Sequence, residues 1–266
     1  MTTEKSNALT IITTALSLPG VKVNREAFLL ETLKVSAEDR ELLLEKGPIK
    51  SGLFTQEKVK EIAKSICSQK TLKTTSASFL AGLPGGVAMA ATIPADTAQF
   101  FGFTLRLAQE VAYLYGVEDL WDGDELLEEK VQGELMLYLA TMFGVAGASS
   151  ALRIISARVA ANIGKNIAKT ALTKTIWYPI VKSVGKYLGI KITKDTVARG
   201  AAKVIPILGG ITSGALTYFT MKKMTERLIK ALDKGVVYTE REKQTDIDIL
   251  REEMPEVYDA IYEEIK

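Results

Sequence analysis

Residues 74–95 read TTSASFLAGLPGGVAMAATIPA, a run of 22 residues without a formal charge, and Asp96 closes it. A charge-free stretch of this length could span a bilayer, because about 20 apolar residues cross the hydrocarbon core as a helix. This one is interrupted by Gly82, Pro84, Gly85, Gly86 and Pro94. It reads instead as one arm of a tightly packed, glycine-rich apolar hairpin. Pro94-Ala95-Asp96 is the corner and the start of the second arm. Proline suits the first turn of a helix, where its missing N–H costs nothing, and Asp96 there favours the positive end of the helix dipole. The second arm is expected to run to Tyr115 and to stop at Gly116.

Outward from that junction almost everything reads as helix. No segment shows the period-2 alternation of a half-buried strand. A first helix covers Thr3 to Leu18 and ends at Pro19-Gly20. Asn24 caps a second, which runs to Lys46 with a break near Ser36, and Gly47-Pro48 ends it. Thr55 caps a third, with Val59, Ile62, Ala63 and Ile66 on one face. Asp122 or Asp124 starts the helix that leads into a second charge-free run, 135–152. A third run, 204–221, continues into a basic amphipathic stretch from Lys222 to Lys234. Thr239 and Glu242 have capping-box spacing, and Pro255 opens a short final helix. The fold expected is all-α: a multi-helix bundle around the glycine-rich central hairpin. It divides into an N-terminal helical segment (1–54), a helical core (55–235) and acidic C-terminal helices (236–266). The patterns Gly82-x-x-x-Gly86, Gly144-x-x-Gly147 and Gly210-x-x-x-Gly214 are read as sites of close helix approach.

Absences narrow the chemistry. The chain contains no histidine and one cysteine, Cys67. Ser-His and Cys-His nucleophile pairs, imidazole bases, His-containing metal sites and multi-thiolate clusters are therefore excluded within one chain. No phosphate-binding loop of the Gly-x-x-x-x-Gly-Lys-Ser/Thr type occurs, and no cofactor is expected. Asp122-Gly123-Asp124 lacks the later ligands of a calcium loop and reads as a helix start. Cys67 reads as a small apolar residue on a helix, with a modestly activated thiolate near Lys64 and Lys70 as the alternative.

Two groups of residues are the candidates for function. With about 100° between successive helical residues, Gln99, Arg106, Glu110 and Tyr113 form a narrow stripe flanked by Asp96 and Gln109 on an otherwise apolar helix. Arg106 and Glu110 are spaced i,i+4 and can pair. The stripe is either a polar seam that fixes helix register or the lining of a binding groove. The second group is basic. Net charge is only +2 over 266 residues, and mean hydropathy is +0.11. Yet residues 153–203 hold eleven Lys/Arg against one acid, whereas residues 237–266 hold ten acids against four bases. Arg153, Arg158, Lys165, Lys169 and Lys174 are spaced along amphipathic sequence that leads to Trp177-Tyr178, a pattern suited to an anionic membrane surface. Nucleic acid ranks behind it as a partner, and the block can equally lie against the acidic tail.

Ile93-Pro94-Ala95-Asp96, Arg106 and Ala112-Tyr113-Leu114-Tyr115-Gly116 resemble the central signature of the EcsC protein family. The stretch 205–214, followed by Thr217 and Arg227, is similar to its second block, and together the similarity covers about residues 55–235. The resemblance implies a bacterial, helical protein with an apolar core and membrane association. It implies no established activity and carries over no catalytic residues. The expectation is a non-enzymatic cytoplasmic protein, peripheral on the inner face of the cell membrane. Its partner is the anionic surface or a membrane protein such as a transporter, and self-association stays open. The alternatives are a membrane-inserting toxin- or immunity-like module, and an enzyme or small-ligand binder that uses carboxylates and lysines.

Overall fold

The computed structural model describes residues 14–75, 95–121, 129–161 and 214–263. Among these residues the protein is all-α: residues 14–16 are helical, nine further helices follow, and there is no strand. The nine are α1 (Arg25–Leu33), α2 (Arg40–Lys50), α3 (Gln56–Thr75), α4 (Ala95–Leu114), α5 (Glu129–Phe143), α6 (Ala148–Ala161), α7 (Gly214–Val236), α8 (Glu240–Glu253) and α9 (Pro255–Glu263). The glycine-rich arm ahead of Pro94 lies outside the described residues, so the hairpin expected there is not part of the observed fold. The Gly82 and Gly210 motifs lie at least partly outside them too.

Local sequence sets most of the helix ends. The Asn24 side chain accepts from Ala27 N–H at 2.8 Å and starts α1. Lys34, in a left-handed conformation with φ 50°, ends it, so the break expected near Ser36 is real and separates α1 from α2. As expected, Gly47-Pro48 ends the helical run that begins at Arg40: Gly47 (φ 76°) has a non-helical backbone, and the last turn of α2, to Lys50, is a separate short piece beyond that kink. Thr55 Oγ1 accepts from Lys58 N–H at 3.2 Å at the start of α3. Thr239 and Glu242 form both halves of a capping box on α8, and Pro255 opens α9.

Gly116 (φ 84°) ends α4 in a Schellman motif: Val117 N–H donates to Ala112 O at 3.1 Å and Gly116 N–H to Tyr113 O at 3.0 Å. Gly144 does the same for α5, through Val145 N–H to Ala140 O at 2.9 Å and Gly144 N–H to Thr141 O at 3.1 Å. Gly144 (φ 72°) and Gly147 (φ 79°) are therefore turn residues that split the 135–152 run into two helices, and the expected close approach occurs there as well: a Cβ would stand 3.0 Å from Arg227 Cζ of α7 at Gly144 and 2.7 Å from Met254 Cγ, just past α8, at Gly147. Their left-handed backbone is the conformation glycine adopts without a Cβ penalty.

The long helix α7 is the hub. It packs on α3, α4, α5 and α6, while α1 and α2 cover α4, and α8 lies on α6. One apolar core runs through all of this, from Leu29 and Leu43 through Leu105, Leu139 and Leu228 to Val257 and Ile261. Among the described residues no helix is long and apolar enough to cross a membrane.

Two buried acids lock the outer helices to the hub. Asp233 on α7 takes Lys60 Nζ at 2.6 Å, Gln56 Nε2 at 3.0 Å and the Tyr115 hydroxyl at 3.3 Å, which ties in α3 and the end of α4. Asp246 on α8 receives Arg153 of α6 on both carboxylate oxygens, together with the hydroxyls of Ser150 and Tyr238, each at 2.8 Å. Burial pushes both carboxyls up, but the hydrogen bonds from these donors outweigh it and leave both below the ordinary carboxylate value. A depressed folded-state value stabilises the fold above the unfolded-state value of about 4 and is lost as pH falls through the folded-state value. Removal of one partner from a buried pair typically costs about 3–5 kcal/mol. Asp246→Ala is therefore expected to lower the free energy of urea unfolding near neutral pH by about 3 kcal/mol. The difference between wild type and variant should shrink as pH is taken below about 4, and a constant difference would refute the linkage.

Candidate functional site

Helix α4 carries the polar stripe, and from Phe101 to Leu114 every side chain except that of Arg106 is buried. A polar group in such a helix must find its partner inside the protein, because an unpaired buried donor or acceptor costs about 1–3 kcal/mol. Gln109 satisfies this requirement four times over. Its Nε2 donates to Val21 O at 2.9 Å and to Leu105 O at 3.0 Å. Its Oε1 accepts from Val23 N–H at 3.1 Å and from Trp121 Nε1 at 2.8 Å. One side chain thus binds the strap 21–23 and the loop after α4 to the same helix. Tyr113 extends the seam: its hydroxyl lies 3.3 Å from Asp119 Oδ1 and accepts from Leu120 N–H at 3.4 Å. Gly102 lets the strap approach, since a Cβ there would stand 2.9 Å from Val21 Cγ2.

Glu110 has no exposed surface. Its Oε1 receives Arg106 Nε at 3.0 Å, the expected i,i+4 pair, and also Lys70 Nζ from α3. Arg106 in turn donates Nη1 to Gly20 O at 2.5 Å. The second carboxylate oxygen, Oε2, is buried and has no hydrogen-bond partner among the described residues. Cys67 lies in the same region, next to Thr225 of α7. Burial and the neighbouring Glu110 charge push its thiol up to about 12, so it is a protonated apolar residue and not an activated thiolate. Burial likewise raises the phenols of Tyr113, Tyr115 and Tyr138.

The stripe therefore divides. Arg106, Gln109, Glu110 and Tyr113 come together with Lys70, Trp121 and the strap 20–23. Gln99 sits about two turns before Arg106, its Oε1 buried with no partner among the described residues. Asp96 is in the first turn of α4, and its side chain is outside what is described. Of the basic candidates, Arg153 is committed to Asp246, the arrangement in which the basic block meets the acidic tail. Arg158 falls on α6 with its side chain undescribed, and Lys165, Lys169 and Lys174 lie outside the described residues. Among the described residues no group of three acidic or sulfur ligands could hold a metal ion.

Sequence reasoning missed Lys70 as the partner of Glu110. The signal was present: at about 100° per residue Lys70 falls on the buried face that holds Val59 and Ala63. It also left the outward face of α7 unassigned. Phe219, Lys222, Lys223, Glu226, Lys230 and Lys234 are all exposed and share one stripe about 120° wide. No family model, curated protein or solved structure matches this chain.

The seam makes two expectations. Gln109→Leu keeps the volume but leaves Val23 N–H and Trp121 Nε1 buried without partners. It should cost about 2–4 kcal/mol in urea unfolding, given about 1–3 kcal/mol for each orphaned group; a cost below the measurement error would show that the network contributes nothing. Cys67 should react with a thiol reagent at mildly alkaline pH only when denaturant is present. Rapid reaction in the native state would contradict its burial.

Proposed function

We propose that this chain is a non-enzymatic helical protein of the cytosolic face of a bacterial membrane, held there by anionic lipid headgroups. The observation that supports the reading is the outward stripe of α7. Four lysines and one acid, Glu226, occupy it over about 22 Å of helix. Two buried acids of this region are used otherwise: Asp233 and Glu110 are turned inward and paired with Lys60, Lys70 and Arg106, while at the far end of the stripe Glu242 of α8 lies within electrostatic reach of Lys234. The outer surface of the hub is left basic. Each lysine close to an anionic surface adds about 1 kcal/mol, and the attraction decays within a Debye length. A net excess of three positive charges then supports binding that is reversible and salt-sensitive.

The resemblance to the EcsC family points the same way, since it implies membrane association without a catalytic set. The candidate polar stripe supports a structural role in this reading. Arg106, Gln109 and Glu110 pair with one another, with Lys70 and with backbone of the strap, leaving Glu110 Oε2 unpaired among the described residues, and the neighbouring Cys67 thiol on α3 is protonated.

The protein should float with phosphatidylglycerol-rich vesicles at low salt, dissociate at high salt, and ignore vesicles of phosphatidylcholine alone. Charge reversal at Lys222, Lys223 and Lys230 together should abolish flotation while the far-ultraviolet circular dichroism stays unchanged. Recovery only in the soluble fraction at low salt would overturn the proposal. Release of an entrapped dye by the bound protein would favour a permeabilising module over a surface binder.

A further inference from the structure

The lysine stripe says what the surface is attracted to, and one of its members says how the molecule is oriented there. Phe219 begins the exposed stripe of α7 and is 65 % exposed, against a core in which the large side chains of α7 are buried. Lys222 and Lys223 stand at i+3 and i+4 from it, so both ammonium groups flank the ring on the same helical face. The ring is not adrift. Tyr218 meets it edge-on at 5.7 Å between centroids, and the Tyr218 hydroxyl is 3.0 Å from Ser68 Oγ on α3. That contact, together with Lys60 against Asp233 at the other end, shows that α3 and α7 run antiparallel. Leu72, 64 % exposed, and Lys73 then lie at the Phe219 end of the pair, one turn beyond Ser68.

An exposed aromatic between lysines is costly in water and well matched to the boundary between headgroups and acyl chains. The cations can hold phosphates there while the ring enters the apolar layer. We infer that the protein docks with the Phe219 end of the α3–α7 pair toward the membrane, Phe219 entering the interfacial layer while Lys222 and Lys223 bind anionic headgroups. This rests on the proposed membrane association and adds the face and the anchoring residue. The charge of the flanking residues favours anionic lipid over a neutral or basic partner surface.

The test uses the full chain with a single reporter. Cys67 is buried, so Phe219→Cys can be labelled selectively with the polarity-sensitive fluorophore NBD, and Ile249→Cys on α8 serves as a distant exposed control. With phosphatidylglycerol-rich vesicles the probe at 219 should shift to the blue and brighten several-fold, while the probe at 249 stays unchanged. Phe219→Asp should weaken vesicle binding about tenfold, a loss of about 1.4 kcal/mol, with the fold intact by circular dichroism. If wild-type protein floats but the 219 probe does not respond, the docking face is wrong and the membrane association stands. If wild-type protein does not float at low salt, the reading on which the inference rests fails. A blue shift of the 219 probe that grows with protein concentration without vesicles would mean that a second copy covers this face, and would overturn the inference.

Discussion

A carboxylate with no exposed surface stands where α4 meets α3, and much of the structure follows from what that costs. An isolated charge in a protein interior is several kcal/mol less stable than in water, so Glu110 demands compensation. It receives two cations from different places, Arg106 one turn along its own helix and Lys70 from α3. Both have long stems that carry their charge from a partly exposed position to a buried one, with 43 % and 33 % of their side-chain surface still accessible. The pair of helices can therefore cross in one register only. A slide of either by a turn would take Lys70 from Glu110, leave the buried carboxylate with Arg106 alone, and strand the Lys70 ammonium without its partner. Apolar packing is more permissive, since cores of suitable volume repack at modest cost. The polar group supplies the specificity that the leucines around it do not.

The same device recurs at each long-range junction. Gln109 joins α4 to the strap 21–23, Asp233 joins α7 to α3, and Asp246 joins α8 to α6. The partners are 88, 173 and 93 residues apart in sequence. Each anchor sits at an edge of the common core and is satisfied on several sides. Dispersion among the leucines supplies bulk stabilisation, while these four side chains select which helices meet and where.

This division explains what could be read from the sequence. Helix starts at Asn24, Thr55, Thr239 and Pro255, and the stop at Gly116, are written in a few adjacent residues, because capping satisfies local backbone groups with local side chains. The Arg106–Glu110 pair was legible for the same reason, being set by helix geometry alone. The partners of Gln109 were not, because two are backbone atoms of a strap 86 to 88 residues upstream, and only the tertiary fold brings them there. Lys70 was half legible: its place on the apolar face of α3 marks it as a charge with a buried partner, but nothing local names Glu110. The glycines at 144 and 147 were half legible too: the close approach of α7 and of the end of α8 was expected, the left-handed turns were not. Small residues permit both, and spacing alone does not say that one position serves for both. Arg153 stood between two readings, surface contact or partner of the acidic tail, and proximity to Asp246 settled its own case while saying nothing of the lysines beyond α6.

Helix α7 shows how these internal locks bear on the outer surface. Its inward side touches four other helices and is held by Asp233 at one end and by the Thr225–Cys67 and Tyr218–Ser68 contacts along its length. A helix clamped over that distance cannot rotate about its axis without breaking several contacts at once. The residues left facing outward are consequently presented as a fixed array rather than as independent side chains on a mobile segment. For a surface that attracts weakly per charge, the array matters more than any one lysine. Ordering the helix has already been offset by folding, so little entropy remains to be lost when the stripe meets its partner. Polar groups consumed in the interior and lysines displayed on the hub are thus two sides of one arrangement: the first holds rigid the platform on which the second can act.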